Sequence, residues 1–267
     1  MKNEGRILGL GKYFFAAGIA CLGAQYFVYG HYSRGLPPVP PWAPGGAAGA
    51  YLAGALLMAT AAGIAFDAKR RASALVLGAF LLFCVVILHA QKLGDLLASG
   101  RARTGALEPL ALCGAALAVI GTLPAVPDGA RKWDRSIVHL GRILFAFSMI
   151  IFGVQHFEYL KFVAALVPAW IPGHVFWVVF TGAAFIAAGA AIGAGISGRL
   201  AATGLGIMFL LWFFLLHIPL TIAFSKDGDK WSSMFVALAM SGASLIVAKS
   251  FTSTRSRRPR NGSSPRS

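Results

Sequence analysis

The residues best suited to chemistry are two glutamines and three histidines that lie near the ends of long apolar stretches. They are Gln25, His89, Gln155, His156 and His217. Amide and imidazole groups both donate and accept hydrogen bonds, and such bonds are stronger in apolar surroundings. If they converge on one cavity, these side chains could bind the carbonyl groups of a small redox or lipid-like molecule, such as a quinone head group.

Aromatic side chains next to these positions would suit the ring of such a ligand. Phe27 and Phe157 each follow a glutamine by two residues, and Trp42 and Trp170 lie in two proline-rich connections. Proline fixes φ and ends a helix, and indole rings favour the boundary between apolar and aqueous surroundings. Each connection is therefore either a stiff lid over a ligand or a plain interfacial anchor, and both interpretations stay open.

The stretches that carry these residues are typical of an integral membrane protein. Of the 267 residues, 57% are hydrophobic and only 12% are charged, whereas soluble domains have about 25% charged residues. A helix needs about 20 apolar residues to cross a bilayer. Eight such runs occur, at residues 7–28, 47–66, 72–91, 106–123, 138–157, 174–195, 200–220 and 232–249. The composition predicts an all-α, polytopic membrane protein with eight transmembrane helices and no soluble domain.

The formal charge of +15 could suggest a nucleic-acid partner, but the basic residues are placed as in a membrane protein. Of the Lys and Arg residues, 17 fall in the termini and alternate connections of one predicted side, and seven fall on the other side. The positive-inside rule assigns the richer side, with both termini, to the cytoplasm. We therefore predict that the lipid bilayer is a partner and that nucleic acid is not.

The chain also contains an internal duplication, with an offset of 128 to 130 residues between the two copies. Three pairs coincide in one frame: Gln25 with Gln155, Trp42 with Trp170, and His89 with His217. Each copy holds four helices, an even number, so both copies enter the membrane in the same orientation and form a parallel tandem repeat. The predicted units are two four-helix bundles, at 1–128 and 129–249, followed by a basic disordered tail at 250–267.

Helix geometry places these two glutamines and three histidines at one depth in the membrane. The five residues are called the polar layer. At about 1.5 Å per residue, the histidines lie roughly 25–30 Å from the cytoplasmic helix ends, near the outer boundary of the hydrocarbon. Polar groups at such depth face the bundle interior or a wet cavity. The polar layer either binds a ligand together with Trp170, or bonds to itself and to loop carbonyls and so holds the two halves together.

Haem and metal chemistry have weaker support in the sequence. His89 and His217 occupy equivalent positions and could supply two axial haem ligands, but both lie near helix ends and no further ligand pattern accompanies them. Three cysteines, Cys21, Cys84 and Cys113, are far apart and form no zinc-binding pattern with histidine. No metal site is predicted, haem is disfavoured, and a quinone is the cofactor that the polar layer would suit.

The carboxylates suggest no further site. Glu158 lies beside the polar layer and could pair with Lys161, three residues further along the helix. We expect no acidic or basic residue at mid-depth in any helix. A transport site at the membrane midplane is therefore not indicated.

The second half of the chain resembles the DoxX-like membrane proteins. The resemblance rests on Phe-Gly-Val-Gln-His-Phe at 152–157, on Val-Pro-Ala-Trp-Ile-Pro-Gly at 167–173, and on Leu-His-Ile-Pro at 216–219. The first half matches more loosely, since Tyr26 stands where the second half has His156. A ligand pocket, if present, is therefore expected in the second half.

The resemblance implies one four-helix bundle per unit and a location in the bacterial cytoplasmic membrane. It also implies an association with redox chemistry, because related proteins are named as membrane subunits of thiosulfate:quinone oxidoreductases. On this basis we expect a membrane subunit or accessory protein of a redox system, with a soluble or membrane-bound redox partner. Catalysis by the chain itself is left open, and a non-catalytic assembly or envelope-stress factor is the alternative.

Overall fold

A computed structural model describes residues 2–29, 46–89, 93–124 and 128–255, and nearly all of these residues are helical. The proline-rich connection that contains Trp42 lies outside the described residues, as does the side chain of His89. The described chain contains no β-strand. The predicted all-α class is confirmed.

Eleven α-helices occur in the described chain, and they form eight spans that are long and apolar enough to cross a membrane. Seven spans are built on one helix each: α1 (Lys2–Tyr29), α2 (Gly46–Ala65), α3 (Arg70–His89), α5 (Gly100–Val119), α6 (Asp128–Glu158), α8 (His174–Ala194) and α11 (Gly228–Arg255). The seventh span in chain order, Gly198–Ala223, joins α9 (Gly198–Trp212) through a π turn to α10 (Ile218–Ala223). Two short helices lie between spans: α4 (Leu93–Ala98) and α7 (Leu160–Leu166). The prediction of eight spanning helices is confirmed.

The eight long helices form a closed ring in chain order. Each packs against the next, α11 returns to pack against α1, and α5 and α11 also contact each other across the ring. These two helices form the most buried spans, with 67% and 72% of their 18-residue apolar windows inside the protein. The buried apolar core includes residues from all eight helices, so it is continuous across both predicted units.

Close backbone contact between helices explains the many small residues. A Cβ atom placed on Gly242 of α11 would lie 2.1 Å from the backbone nitrogen of Phe15 in α1. A Cβ atom on Gly114 of α5 would lie 2.5 Å from the carbonyl oxygen of Gly141 in α6. Because lipid gives helices no hydrophobic drive to associate, such close packing supplies the attraction between them.

The two predicted repeats make the same pattern of helix contacts. α1 packs on α2 as α6 packs on α8, and α3 packs on α5 as α9 packs on α11. The first helix of each unit packs against the last helix of the other unit, in the pairs α1 with α11 and α6 with α5. This pattern is what a tandem repeat requires, and the repeat itself stays a hypothesis.

One end of the bundle, where α1, α3, α6 and α9 begin, is here called the basic end. Asp67, in the turn between α2 and α3, accepts a hydrogen bond of 2.6 Å from Lys12 and pairs with Arg70. Arg71 pairs with Asp134 of α6 at 2.6 Å. The hydrogen bond from Lys12 and the nearby Arg70 hold the pKa of the Asp67 carboxyl below its ordinary value. These ion pairs connect the α2–α3 turn to both predicted units.

The end of α11 is also tied into the bundle at the basic end. Arg142 donates from Nε to the Ser250 hydroxyl at 2.9 Å and from Nη2 to the Ser250 carbonyl at 2.6 Å. Its guanidinium lies 3.8 Å from the ring centroid of Phe251, within range of a cation–π interaction. α11 continues through Arg255, into the segment predicted as the tail, and residues 256–267 lie outside the described residues.

Candidate functional site

Gln25 joins α1 to the start of α11. Its side chain is buried, and its Oε1 accepts a hydrogen bond of 3.0 Å from the Ser232 hydroxyl. Its Nε2 donates to the carbonyl of Gly228 at 3.4 Å. Gly228 and Ser232 lie four residues apart at the start of α11, so they share one face of the helix. Gln25 is therefore a contact between the two predicted units.

Gln155 makes the corresponding contact between α6 and the start of α5. Its Nε2 donates to the carbonyl of Gly100 at 2.9 Å and lies 3.4 Å from the Thr104 hydroxyl. Its Oε1 is buried and accepts no hydrogen bond in the part of the chain that the structure describes. Gly100 and Thr104 lie 128 residues before Gly228 and Ser232, so the two glutamines bond to matching positions.

These hydrogen bonds support the structural interpretation of the two glutamines. Each amide nitrogen donates to a backbone carbonyl that joins the first helix of one unit to the last helix of the other. A buried amide that loses its partner costs about 1–3 kcal/mol. The glutamines therefore stabilise the interface between the units at the end opposite the basic end.

Removing the hydroxyl of Ser232 tests this role. We expect Ser232→Ala to lower the free energy of unfolding by about 1 kcal/mol, since the Oε1 of Gln25 loses its donor in a buried site. Ser233→Ala is the matched control, because the Ser233 hydroxyl is exposed and bonds only within its own helix to Asp229. Reversible unfolding in detergent measures both variants, and equal stability of the two would contradict the role given to Gln25.

His156 bonds within its own helix. Its Nδ1 lies 2.7 Å from the carbonyl of Phe152, one turn earlier in α6. Its ring packs against Phe185 of α8, with 5.2 Å between the centroids. The Cβ of His156 also lies close to Gly182, which has room for it because glycine lacks a side chain. His156 thus belongs to the contact between α6 and α8.

His217 ends an irregular stretch of the seventh span. Residues Phe213–His217 form a π turn between α9 and α10, and Pro219 follows directly in α10. Proline has no amide hydrogen, so the regular bond to the carbonyl four residues earlier cannot form, and a wider turn accommodates the change. His89 ends α3 at the equivalent place in the first unit.

The described members of the polar layer share an end of the bundle but lie in different helix contacts. Gln25 lies between α1 and α11, Gln155 between α6 and α5, and His156 between α6 and α8. His217 lies beside α11 at the end of the π turn. Of the residues predicted to bind a ligand whose side chains the structure describes, Trp170 alone lines the cavity described next.

A cavity of about 540 Å³ lies between α8 and α9. It opens beside the connection that holds Trp170, whose side chain is 65% exposed. Its walls are aromatic and aliphatic, and the six side chains that define its character are Trp170, Trp177, Phe180, Leu205, Met208 and Trp212. This cavity is here called the α8–α9 groove.

The α8–α9 groove offers a ligand almost no polar group. Thr181 is its one hydroxyl, and that hydroxyl already donates to the carbonyl of Trp177 at 2.7 Å. Trp177 in turn donates its indole N–H to the carbonyl of Pro172 at 3.2 Å and meets Trp212 edge to face, 6.2 Å between centroids. A site of this kind suits a hydrocarbon or isoprenoid chain, because apolar contact is the interaction that it can supply.

Glycine at position 204 explains part of the space. A Cβ atom built on Gly204 of α9 meets no heavy atom within 4 Å. The facing residues on α8 include the small Ala184 and Ala188, so neither wall fills the gap with side chains. The sequence signal for the α8–α9 groove was therefore the small residues of the sixth and seventh spans, which composition alone assigns to helix packing.

One carboxylate contradicts the expectation that no charged residue lies deep within a span. Glu108 lies eight residues after Gly100 in the span Gly100–Thr122, about 12 Å along the helix axis. Its side chain is partly buried, and Pro109 follows it in the same helix. Ionisable residues at such depth are costly in lipid, and counting residues from the start of the fourth span would have revealed this one.

The expected pair of Glu158 with Lys161 is replaced by a different one. Glu158 accepts a hydrogen bond of 2.5 Å from Arg103 of α5, and the same guanidinium donates to the Tyr159 hydroxyl at 2.9 Å. The cause is local, since α6 ends at Glu158 and Tyr159 departs from helical geometry before α7 begins. The carboxylate therefore faces the start of α5 and adds to the contact made by Gln155.

Comparisons of the chain with protein families, with curated proteins and with solved structures give no match.

Proposed function

We propose that this protein is a membrane-embedded subunit or accessory of a redox system that holds the isoprenoid chain of a quinone in the α8–α9 groove. The observation that carries the proposal is an apolar cavity of about 540 Å³ in the second half, bordered by Trp170, Trp177 and Trp212. Its volume is in the range of small-molecule sites. The redox assignment draws on the resemblance of residues 152–173 to DoxX-like proteins.

The proposal differs from the pocket expected from sequence in which atoms contact the ligand. The glutamines are engaged between helices, so the apolar tail is the recognised part, and the quinone ring lies near the exposed Trp170 at the mouth. His217 follows the lining residue Leu215 of the groove by two residues. It is the candidate hydrogen-bond partner for a ring carbonyl.

The same proposal includes the placement of the protein. The bilayer is its immediate partner, with a soluble or membrane-bound redox protein as its second partner. The resemblance to DoxX-like proteins favours a bacterial inner membrane, and the charge asymmetry favours both termini in the cytoplasm. Under this orientation the mouth of the α8–α9 groove faces the outer leaflet. The two four-helix units are proposed as a tandem repeat with unequal roles, since the groove belongs to the second.

Tryptophan fluorescence tests quinone binding directly, because quinones quench nearby indoles. We expect titration of a long-tailed quinone into detergent-solubilised protein to give a saturable loss of emission, since three tryptophans border the α8–α9 groove. An isoprenoid alcohol of equal chain length should compete with the quinone, because the chain supplies the contact. Quenching that rises linearly without saturation, as for quinone dissolved in the micelle, would refute the proposal.

A second candidate is a non-catalytic assembly or envelope-stress factor. One observation favours it: both glutamines of the polar layer bond within the protein and make matching contacts. Under this candidate the α8–α9 groove holds ordinary membrane lipid. The fluorescence titration separates the two, since here the quinone shows no saturable site while the stability of Ser232→Ala still falls.

A further inference from the structure

A second, unrelated recess lies at the basic end, where four helices meet. It is bordered by Leu8, Gly9 and Lys12 of α1, by Arg70 of α3, and by Ile246 and Lys249 of α11, with Val119 and Thr122 at the end of α5. It is here called the basic recess. Its interior has room for about one water-sized sphere, about 10 Å³, so a larger group would sit at its mouth.

The charges around the basic recess do not balance. Lys12 and Arg70 both pair with Asp67, one with each carboxylate oxygen. Lys249 does not share in these pairs, and its ammonium forms no hydrogen bond or ion pair with any residue that the structure describes. Three cations face one carboxylate, which leaves an excess of two positive charges.

Arg70 adds a second unused donor. Its Nη2 donates to the carbonyl of Thr122 at 3.2 Å, while its Nε is buried and has no hydrogen-bond partner among the described residues. A buried donor without an acceptor is costly. In the second unit, Arg142 stands where the first unit has Lys12, and its guanidinium donates to Ser250 within the protein.

We propose that the basic recess binds a phosphate-type oxyanion at its mouth, supplied by the headgroup of an anionic phospholipid. Lys249 and Lys12 donate from ammonium groups, and the excess charge matches a phosphodiester with a second anionic or polar group. The place fits the chemistry, because the recess lies at the basic end, near the start of α1 and the end of α11, and basic pockets between spanning helices attract such headgroups. Leu10 and Tyr13 of α1, both about half exposed, offer apolar surface beside Lys12 for an acyl chain. The inference is independent of the ligand in the α8–α9 groove.

Native mass spectrometry with defined lipids tests the site. We expect the wild-type protein to retain phosphatidylglycerol in preference to phosphatidylcholine, and Lys249→Gln to weaken that retention about fivefold, the value of one lysine near a charged membrane surface. Lys132→Gln is the matched control, since it removes the same charge from an exposed position at the basic end. Equal losses in the two variants, or no preference for the anionic lipid, would overturn the proposal.

A variant that is expected to bind the anionic lipid more tightly separates loss of the site from loss of folding, because a misfolded protein would not gain affinity. Asp67 has a positive φ of 60°, a conformation that asparagine tolerates well. Asp67→Asn removes the competing carboxylate while keeping its shape, so we expect tighter retention of phosphatidylglycerol. Weaker retention in a folded Asp67→Asn protein would count against the basic recess.

A final arm distinguishes a lipid from free phosphate. Lipid-free protein in neutral detergent is titrated with inorganic phosphate while its Tm is followed. A flat response, together with the lipid preference, assigns the oxyanion to the lipid headgroup. A rise in Tm that is lost in Lys249→Gln assigns the same site to free phosphate, and a rise that persists in this variant contradicts the site.

Discussion

Gly242→Ala is expected to destabilise the protein by about 3 kcal/mol, at the upper end of the range for overpacked cores. The added Cβ would lie 2.1 Å from the backbone nitrogen of Phe15 and 2.6 Å from the carbonyl oxygen of Gly11. Both are backbone atoms, so no side-chain rotation relieves the clash and α1 must move away from α11. Reversible unfolding in detergent, followed by helical circular dichroism, measures the loss.

Gly9→Ala is the matched control for this substitution. It makes the same chemical change in α1, but its Cβ meets no heavy atom within 4 Å. Alanine is favoured over glycine in a helix by about 1 kcal/mol, so this variant should be as stable as the wild type or slightly more so. A Gly242→Ala protein that unfolds like Gly9→Ala would show that α1 and α11 do not approach as closely as described.

Gly204→Phe is expected to weaken quinone binding at least tenfold while leaving the fold intact. The Cβ position at Gly204 is open, and a ring added there enters the α8–α9 groove opposite the small Ala184. The added ring then makes the apolar contacts that the ligand would otherwise make. A tenfold loss of affinity corresponds to about 1.4 kcal/mol. Quenching of tryptophan emission by a long-tailed quinone measures the change without adding a new indole.

Gly5→Phe controls for the addition of a large apolar side chain. Gly5 is exposed, and a Cβ atom built on it also meets nothing within 4 Å. It lies on α1 at the basic end and does not line the α8–α9 groove. This variant should bind quinone as the wild type does. Equal affinity in Gly204→Phe and Gly5→Phe would remove the α8–α9 groove as the binding site.

The fold could be predicted well from the sequence because the membrane leaves few choices. Backbone groups in hydrocarbon must bond to one another, so each apolar run of sufficient length becomes a helix. The repeat offset also predicts which residues occupy equivalent places. Gln25 and Gln155 occur 130 residues apart, Gly114 and Gly242 occur 128 residues apart, and each pair contacts matching helices.

The candidate site could not be predicted in the same way. Depth along a helix places a residue at a height but says nothing of the direction it faces, so Gln155 and His156 were expected in one pocket although they contact different helices. A groove that forms because residues such as Gly204 have no side chain shows no polar motif in the sequence. Glu158 likewise pairs with Arg103 rather than Lys161 because α6 ends at Glu158, so Lys161 does not continue the same helix.

The most direct test of the account is the lipid content of the purified protein. Mass spectrometry of an organic extract, calibrated against protein concentration, compares the wild type with Gly204→Phe. The account predicts that an isoprenoid quinone co-purifies with the wild type in nearly stoichiometric amount and is depleted in the variant. An extract in which both proteins carry only the lipids of the surrounding membrane, in the same proportions, would contradict it.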